Sequence, residues 1–451
     1  MGLSMCVLRK VLNKKNIIVG IGLFFYFFLL LLSVLIPSLR IDNNLVFSPA
    51  FIYRSVIFSL FFIPVVFIYI KNQRSFCYIF GVFLLLFLIT NILAIFVPID
   101  GSSVSITSKF MALLYLISVV FTVFAFFEVL PRYFAKNSFL VFFILIDVVM
   151  VVCCLYSLIA EFNDIIAAFT AKGEDAHFHQ IHSFFDNKNS YGFMIFVSII
   201  GTLFIYKWVK KKWLYVLLTF FAINLVISRA KTALILIGLL LLIYGMYKLI
   251  TTFNDHRLRN ILIVSSVALF VAIFMTVVFV PSIYNLSTFL SNLSNFVKEA
   301  FIGQGIRSVK ARLNNLANAG SLFFTPRIII GYGEYICREY ANTCCIVLGP
   351  IDNAYIYNLL AGGIFKTILF IYCYYLIFKQ LVRINRIDSI STLYKVILWS
   401  LEIVLLIYGM FENFQILGSN YSAIMYLIFS YSIPYLVKEE AGSLNDSIDI
   451  N

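Results

Sequence analysis

The chain predicts an all-α, polytopic membrane protein of about twelve transmembrane helices, and three observations predict it. Of 451 residues, 62% are hydrophobic and only 12% charged, where soluble domains carry about 45–50% apolar and about 25% charged residues. Apolar runs of crossing length, roughly 20 residues, recur along the whole chain. The lysines and arginines between them alternate in density, as the two sides of a membrane require. So little charge cannot cover a soluble globule, which excludes soluble enzymes, disordered proteins and disulfide-stapled secreted domains. The net charge of +13 is therefore read by side of the membrane, and no nucleic-acid partner is expected.

The runs fall at Ile17–Leu39, Phe51–Ile70, Cys77–Pro98, Phe110–Leu130, Ser138–Ala160, Tyr191–Trp208, Trp213–Ser228, Thr232–Ile250, Asn260–Tyr284, Ala354–Phe378, Leu393–Phe411 and Tyr421–Val437. The first follows Arg9, Lys10, Lys14 and Lys15 as a signal peptide would. It is too long for one and no small-residue cleavage site follows, so it reads as a retained anchor. The two runs flanking Ser228 are short and read either as two crossings or as one bent hairpin. With the N-terminus inside, twenty Lys and Arg face the cytoplasm, among them Lys210, Lys211, Lys212, Arg257, Arg383 and Arg386. Seven lie in short outer loops and helix ends: Arg40, Arg54, Lys109, Lys172, Lys188, Arg229 and Lys231. That asymmetry puts both termini in the cytoplasm, with a tail from Lys438 to Asn451.

Two outer segments exceed the roughly 2–8 residues that ordinarily join helices: residues 161–190, and the 68 residues from Tyr284 to Ile351, between crossings nine and ten. In the larger loop, Leu286, Phe289, Leu290, Leu293, Phe296, Val297, Ala300 and Phe301 recur at helical spacing, and again Ile306, Val309, Leu313 and Leu316. Two short amphipathic helices on the outer surface fit this pattern. They serve either as packing or as a functional surface. Asn318, Ala319 and Gly320 read as a C-cap. Lys298, Arg307, Lys310, Arg312, Arg327 and Arg338 outnumber Glu299, Glu334 and Glu339, a positive surplus that an anionic ligand would explain.

Three clusters with chemistry-bearing residues lie on the predicted outer side. The first holds His177, His179 and His182, then Asp186, Asn187, Lys188 and Asn189 ahead of Tyr191. The second is the tip Ser228, Arg229, Ala230, Lys231. The third is Arg327, Gly331, Gly333 and Glu334, followed by Asp352, Asn353, Tyr355, Gly362, Gly363 and Ile364 where the chain re-enters the membrane. In this order relative to the crossings, the clusters resemble the O-antigen polymerase and O-antigen ligase superfamily (Wzy and WaaL types) of bacterial envelope polysaccharide assembly. The resemblance spans roughly Asn187 to Ile364 and rests on short motifs in order. The ligase branch has a histidine where this chain has Asp352, which favours polymerase.

The resemblance implies a multi-pass protein of the bacterial cytoplasmic membrane. It would join undecaprenyl-diphosphate-linked oligosaccharides, donor and acceptor alike, into O-antigen, capsule or exopolysaccharide, without metal or other cofactor. Its partners would be membrane lipid, a flippase and a chain-length regulator. Ligase-type glycan transfer and a flippase for the same lipid-linked oligosaccharide are the alternatives. A flippase would call for internal repeats and charges lining a central cavity. The sequence has no internal repeat, and its notable charges cluster outside.

The chemistry can be argued from the residues alone. Negative charge builds on a departing diphosphate, and the planar guanidinium fork grips phosphate oxygens bidentately while staying charged. Arg229 and Arg327 are the candidates for that task, with Lys231, Arg307 and Arg312 behind them. The acceptor hydroxyl needs a base: Asp352 first, then Glu334 and His182. Asn187, Asn189, Asn353 and Tyr355 complete the substrate-binding set. Each has a plainer reading. Arg229 and Lys231 anchor at headgroups, Arg327 caps its loop against Glu334 or Glu339, Asp352 is an N-cap, and Gly331 and Gly333 form a turn. His177, His179 and His182 with Glu174 and Asp175 lack helical ligand spacing, so hydroxyl and phosphate hydrogen bonding is expected there rather than zinc. Of the eight cysteines, Cys337, Cys344 and Cys345 lie in the outer loop, an odd number that rules out a design around disulfides. Three charges lie midway along crossings: Lys366 and Glu402, expected to pair, and Asp147, for which the sequence offers no partner.

Overall fold

A computed structural model describes residues 138–170, 181–185, 188–205, 211–252, 320–331, 353–388, 390 and 392–410, with isolated positions at 28, 88, 89, 92, 93 and 96. The described residues are helical, without a strand among them. They form α1 (Ser138–Ala160), α2 (Phe162–Thr170), α3 (Lys188–Phe204), α4 (Lys211–Ser228), α5 (Lys231–Thr252), α6 (Ala354–Asn385) and α7 (Thr392–Tyr408), with 3₁₀ turns at Ser321–Phe324 and Pro326–Ile329 before α6. Six of the twelve predicted apolar segments fall here, and each is a helix. The others, both termini and the predicted amphipathic stretch 286–316 lie outside the described residues, apart from the isolated positions.

The helices form where uninterrupted apolar sequence satisfies its backbone internally, and two of them, Val141–Ala160 and Ala354–Asn385, are long and apolar enough to cross a membrane. The outward stripe of α6 is as apolar as its inner face: Ile364, Ile368, Ile371, Tyr372 and Tyr375 are all exposed. A helix apolar all round suits a lipid surrounding better than water.

Helix α3 is the centre. Thirteen of its seventeen residues are buried, and α1, α4 and α5 pack around it. Two glycines set the spacing. A Cβ on Gly192 would collide with the Ala230 Cβ of the α4–α5 tip, and one on Gly201 would lie 2.5 Å from the Phe143 ring of α1. The close approach at Gly201 also brings Thr202 to Asp147, whose Oδ2 accepts the Thr202 hydroxyl at 3.0 Å. Thr202 is thus the partner that the sequence did not offer for Asp147. At the far end, the Tyr394 hydroxyl of α7 donates to the Phe204 carbonyl at 2.6 Å. The two runs at Ser228 are two helices, and both lean on α3 more than on each other.

Three boundaries differ from expectation. The 161–190 segment contains a helix, α2, whose Ile165 is buried while Phe162 and Ile166 are exposed. Gly320 is no left-handed cap: it is right-handed helical at φ −57, ψ −32 and leads directly into the 3₁₀ turn Ser321–Phe324. Helix α6 is broken at Gly363 (φ 68, ψ −166).

That break seats the loop. Gly331 (φ +88) would, with a Cβ, meet Gly363 N at 2.5 Å and Ala361 O and Gly362 C at 2.6 Å. A Cβ on Gly363 would meet the backbone of Ile329 and Ile330. Two left-handed glycines therefore lie backbone against backbone, about 14 Å along α6 from Ala354 at about 1.5 Å per residue. Past the break, the Gly363 carbonyl accepts the Thr367 hydroxyl at 3.0 Å. Gly331→Ala and Gly363→Ala are expected to destabilise the detergent-solubilised protein by at least about 1–3 kcal/mol, read as a lowered melting temperature. Gly238→Ala and Gly245→Ala in α5, with open space around each, serve as controls and are expected to be neutral or stabilising by up to about 1 kcal/mol.

Candidate functional site at the α3 N-terminal end

Six helix ends meet at one end of the bundle. The N-terminus of α3 and the α4–α5 tip are joined by Gly192 against Ala230 and by the Tyr191 hydroxyl, which donates to Asn224 Oδ1 of α4 at 3.3 Å; the turn of residues 181–185 ties the end of α1 to them, with the Ser183 hydroxyl on Cys153 O and Phe185 stacked on Tyr191. The Phe193 and Tyr408 rings, stacked at 5.3 Å, tie α3 to the end of α7. The end of α7 in turn holds the start of α6, where Ala354 N donates to Gly409 O at 2.8 Å. The described parts of the first two clusters and the start of α6 thus share one end of the fold, while the Arg327 turn seats further along α6 at Gly363.

The tip reverses the chain within two residues. Arg229 N donates to Val226 O at 3.1 Å, and the Ser228 hydroxyl donates to Leu225 O at 2.8 Å while accepting from Ala230 N at 3.4 Å. Arg229 itself is left-handed at φ 53 and only 8% exposed. A non-glycine residue held there costs on the order of 1–3 kcal/mol, and such residues gather at functional sites. Lys188 opens α3 one turn before Gly192 and shares its face, which is the face on the tip. Burial, and then the Arg229 charge, hold the Lys188 ammonium below its ordinary lysine value. No acidic residue occupies the first turn of α3, so its N-terminal dipole adds to the positive field. Two partly desolvated cations beside a helix N-terminus make a place for an anion.

The third cluster divides. Arg327 lies half-buried in the turn Pro326–Ile329, and its carbonyl accepts from Ile330 N at 3.1 Å and Gly331 N at 2.7 Å. Gly331 is thus a turn residue and also the contact on α6. The N-cap of α6 is Asn353, not Asp352: its Oδ1 accepts from Tyr355 N and Ile356 N, both at 3.1 Å. Asn353 Nδ2 donates to Met410 O at 3.2 Å, and the Tyr355 hydroxyl to Leu406 O at 2.6 Å. Both side chains therefore fasten α6 to α7. Capping gives no account of Asp352, which lies outside the described residues together with Asn187, Arg307, Arg312 and Glu334. Lys231 is the first residue of α5 and Asn189 lies in the first turn of α3.

Two residues escaped the sequence reading as members of the site. Lys188 stood in the first cluster and in the tally of outer charges but was given no role, although its place four residues before Gly192 is the available signal. Glu161 binds the backbone of residues 182 and 183, a contact no side-chain pattern announces. Compared with protein-family models, curated proteins and solved structures, the chain matches none.

Proposed function

We propose that the protein is a multi-pass enzyme of the bacterial cytoplasmic membrane that lengthens a surface polysaccharide from lipid-diphosphate-linked repeat units at the outer face. The observation that carries this reading is the left-handed, buried Arg229 beside Lys188 at the α3 N-terminus. A strained cation held next to a second cation suits a ligand with concentrated negative charge, and a diphosphate at the membrane surface has it.

In the proposed reaction the bond from the donor's anomeric carbon to its diphosphate oxygen breaks, and a bond to an acceptor hydroxyl oxygen forms. Asp352 takes the hydroxyl proton, with Glu334 and His182 behind it, and the lipid diphosphate leaves. Arg229 and Arg327 meet the charge that builds on that leaving group, assisted by Lys188, Lys231, Arg307 and Arg312. Asn187 and Asn189 bind the donor's polar groups. No metal or cofactor enters the scheme.

A second reading, a flippase for the same lipid-linked oligosaccharide, is favoured by one observation: α6 is broken at Gly363 beside the fully buried Lys366, and broken helices mark binding sites in transporters. Ligase-type transfer is the nearer alternative in chemistry. The surface glycan of a deletion strain separates them. Single repeat units still displayed support a polymerase, none displayed support a flippase, and full-length chains left unattached to their lipid support a ligase. Reporter fusions are expected to place Asp175 and Gly320 outside and Lys211, Arg257 and Arg386 in the cytoplasm. Fusions that put Gly320 inside would remove the arginines from any outer-face donor.

A further inference from the structure

Glu161, at the break between α1 and α2, folds the turn of residues 181–185 around its carboxylate. Oε1 accepts from Ser183 N at 3.1 Å and His182 N at 3.4 Å. Oε2 accepts from Ser183 N at 3.0 Å and the Ser157 hydroxyl at 2.8 Å. Ser183, left-handed at φ 51, donates its hydroxyl to Cys153 O at 2.7 Å, and the Phe184 ring stacks on Tyr156 at 4.0 Å. The turn is built into the end of α1 rather than draped over it.

The consequence falls on His182. Its Nδ1 lies 3.1 Å from Ser183 O and 3.8 Å from Glu161 Oε1. A carbonyl oxygen only accepts, so Nδ1 carries the hydrogen, and in the neutral ring Nε2 keeps the lone pair. Nε2 lies on the opposite edge of the ring, directed away from both groups, and a fifth of the side chain is exposed. A lone pair repels phosphate oxygens and matches an O–H donor. Phe185 of the same turn stacks on Tyr191 at 5.7 Å, so the turn that carries His182 packs on the start of α3, three residues from Lys188. A sugar diphosphate offers both complements on adjoining atoms.

We infer that Glu161 is a positioning residue, and that the His182 Nε2 it presents accepts a hydrogen bond from a hydroxyl of the glycan. This rests on the polymerase reading and names the part of the substrate that residues 181–185 meet.

The test has two arms. The chain has four histidines, so His177→Gln, His179→Gln and His256→Gln together leave His182 as the sole imidazole. The ¹⁵N spectrum of the purified protein is expected to show one tautomer, with hydrogen on Nδ1. Glu161→Gln, which keeps an acceptor, and Glu161→Ala, which does not, are expected to blur it into a mixture, the second more strongly. Hydrogen on Nε2, or on both nitrogens, overturns the assignment, and so does a tautomer indifferent to both Glu161 variants.

The second arm reads polysaccharide length at matched protein level. A glutamine amide can stand in for Nε2 and an asparagine amide only for Nδ1. His182→Asn is expected to lose activity about tenfold, the worth of one hydrogen bond of about 1.4 kcal/mol, and His182→Gln to lose clearly less. Wild-type length with His182→Asn overturns the glycan contact. Equal loss in both variants overturns it in favour of proton transfer by the ring. Failure of the polymerase reading shows separately, as unchanged chain length when the whole protein is deleted. That result removes the glycan contact and leaves the tautomer standing.

Discussion

Arg229→Lys and Arg327→Lys are expected to express at wild-type level and to leave short or absent polysaccharide chains. Lysine keeps the positive charge and the reach to the surface but loses the bidentate fork, so a residue that only anchors in headgroups tolerates the exchange. A donor that meets charge developing on a leaving diphosphate does not, and removing one such donor costs about a hundredfold or more in rate. The left-handed backbone at Arg229 is unchanged by the exchange, so matched protein levels isolate the side chain. Asp352→Asn belongs to the same series, and Asn353 supplies the α6 cap in the variant as in the parent. Wild-type chain length in all three would leave the proposed chemistry without its residues.

Lys366→Met alone is expected to lower protein abundance sharply, and Glu402→Gln added to it to restore abundance. Both side chains are buried, Lys366 at 0% and Glu402 at 2% exposure. Tyr355 meets Leu406 and Phe378 meets Trp399 between α6 and α7, the two helices that carry Lys366 and Glu402. Removing one member of a buried ion pair strands the other charge, at about 3–5 kcal/mol, whereas removing both is far milder. Immunoblotting of membranes for the single and double variants decides it. A double variant no more abundant than the single means that the two charges answer to different partners.

Helix positions were legible because one physical rule dominates: a long apolar run must satisfy its own backbone. The run Ser138–Ala160 is α1 to the residue. Where ends moved, hydropathy had marked the apolar stretch rather than the hydrogen bonding. Helix α6 continues past Phe378 through Lys379 and Arg383 to Asn385, because charged residues end an apolar run without ending a helix. Helix α3 begins at Lys188, three residues before its apolar run. The cap was illegible in principle, since Asp352 and Asn353 are equally good capping types, and only the extended backbone of Asn353 (φ −145, ψ 111) selects it. The α2 helix was hidden by its length, nine residues of mixed polarity. Of the site, the tip and the loop glycines were readable as motifs. Their packing partners were not, because Gly192 on Ala230 and Gly331 on Gly363 are long-range contacts, and a glycine by itself does not announce what it packs on.

The seat of Gly331 on Gly363 limits how this protein can change over generations. Each glycine's missing Cβ is excluded by main-chain atoms of the other segment, so trimming a neighbouring side chain cannot make room for a larger residue at either place. A lineage that loses one of these glycines has no single-residue route back except reversion. Selection for revertants of Gly331→Ala should therefore return glycine at that codon, or insertions and deletions between residues 331 and 363 that let the loop settle elsewhere, and rarely a point change at a third site.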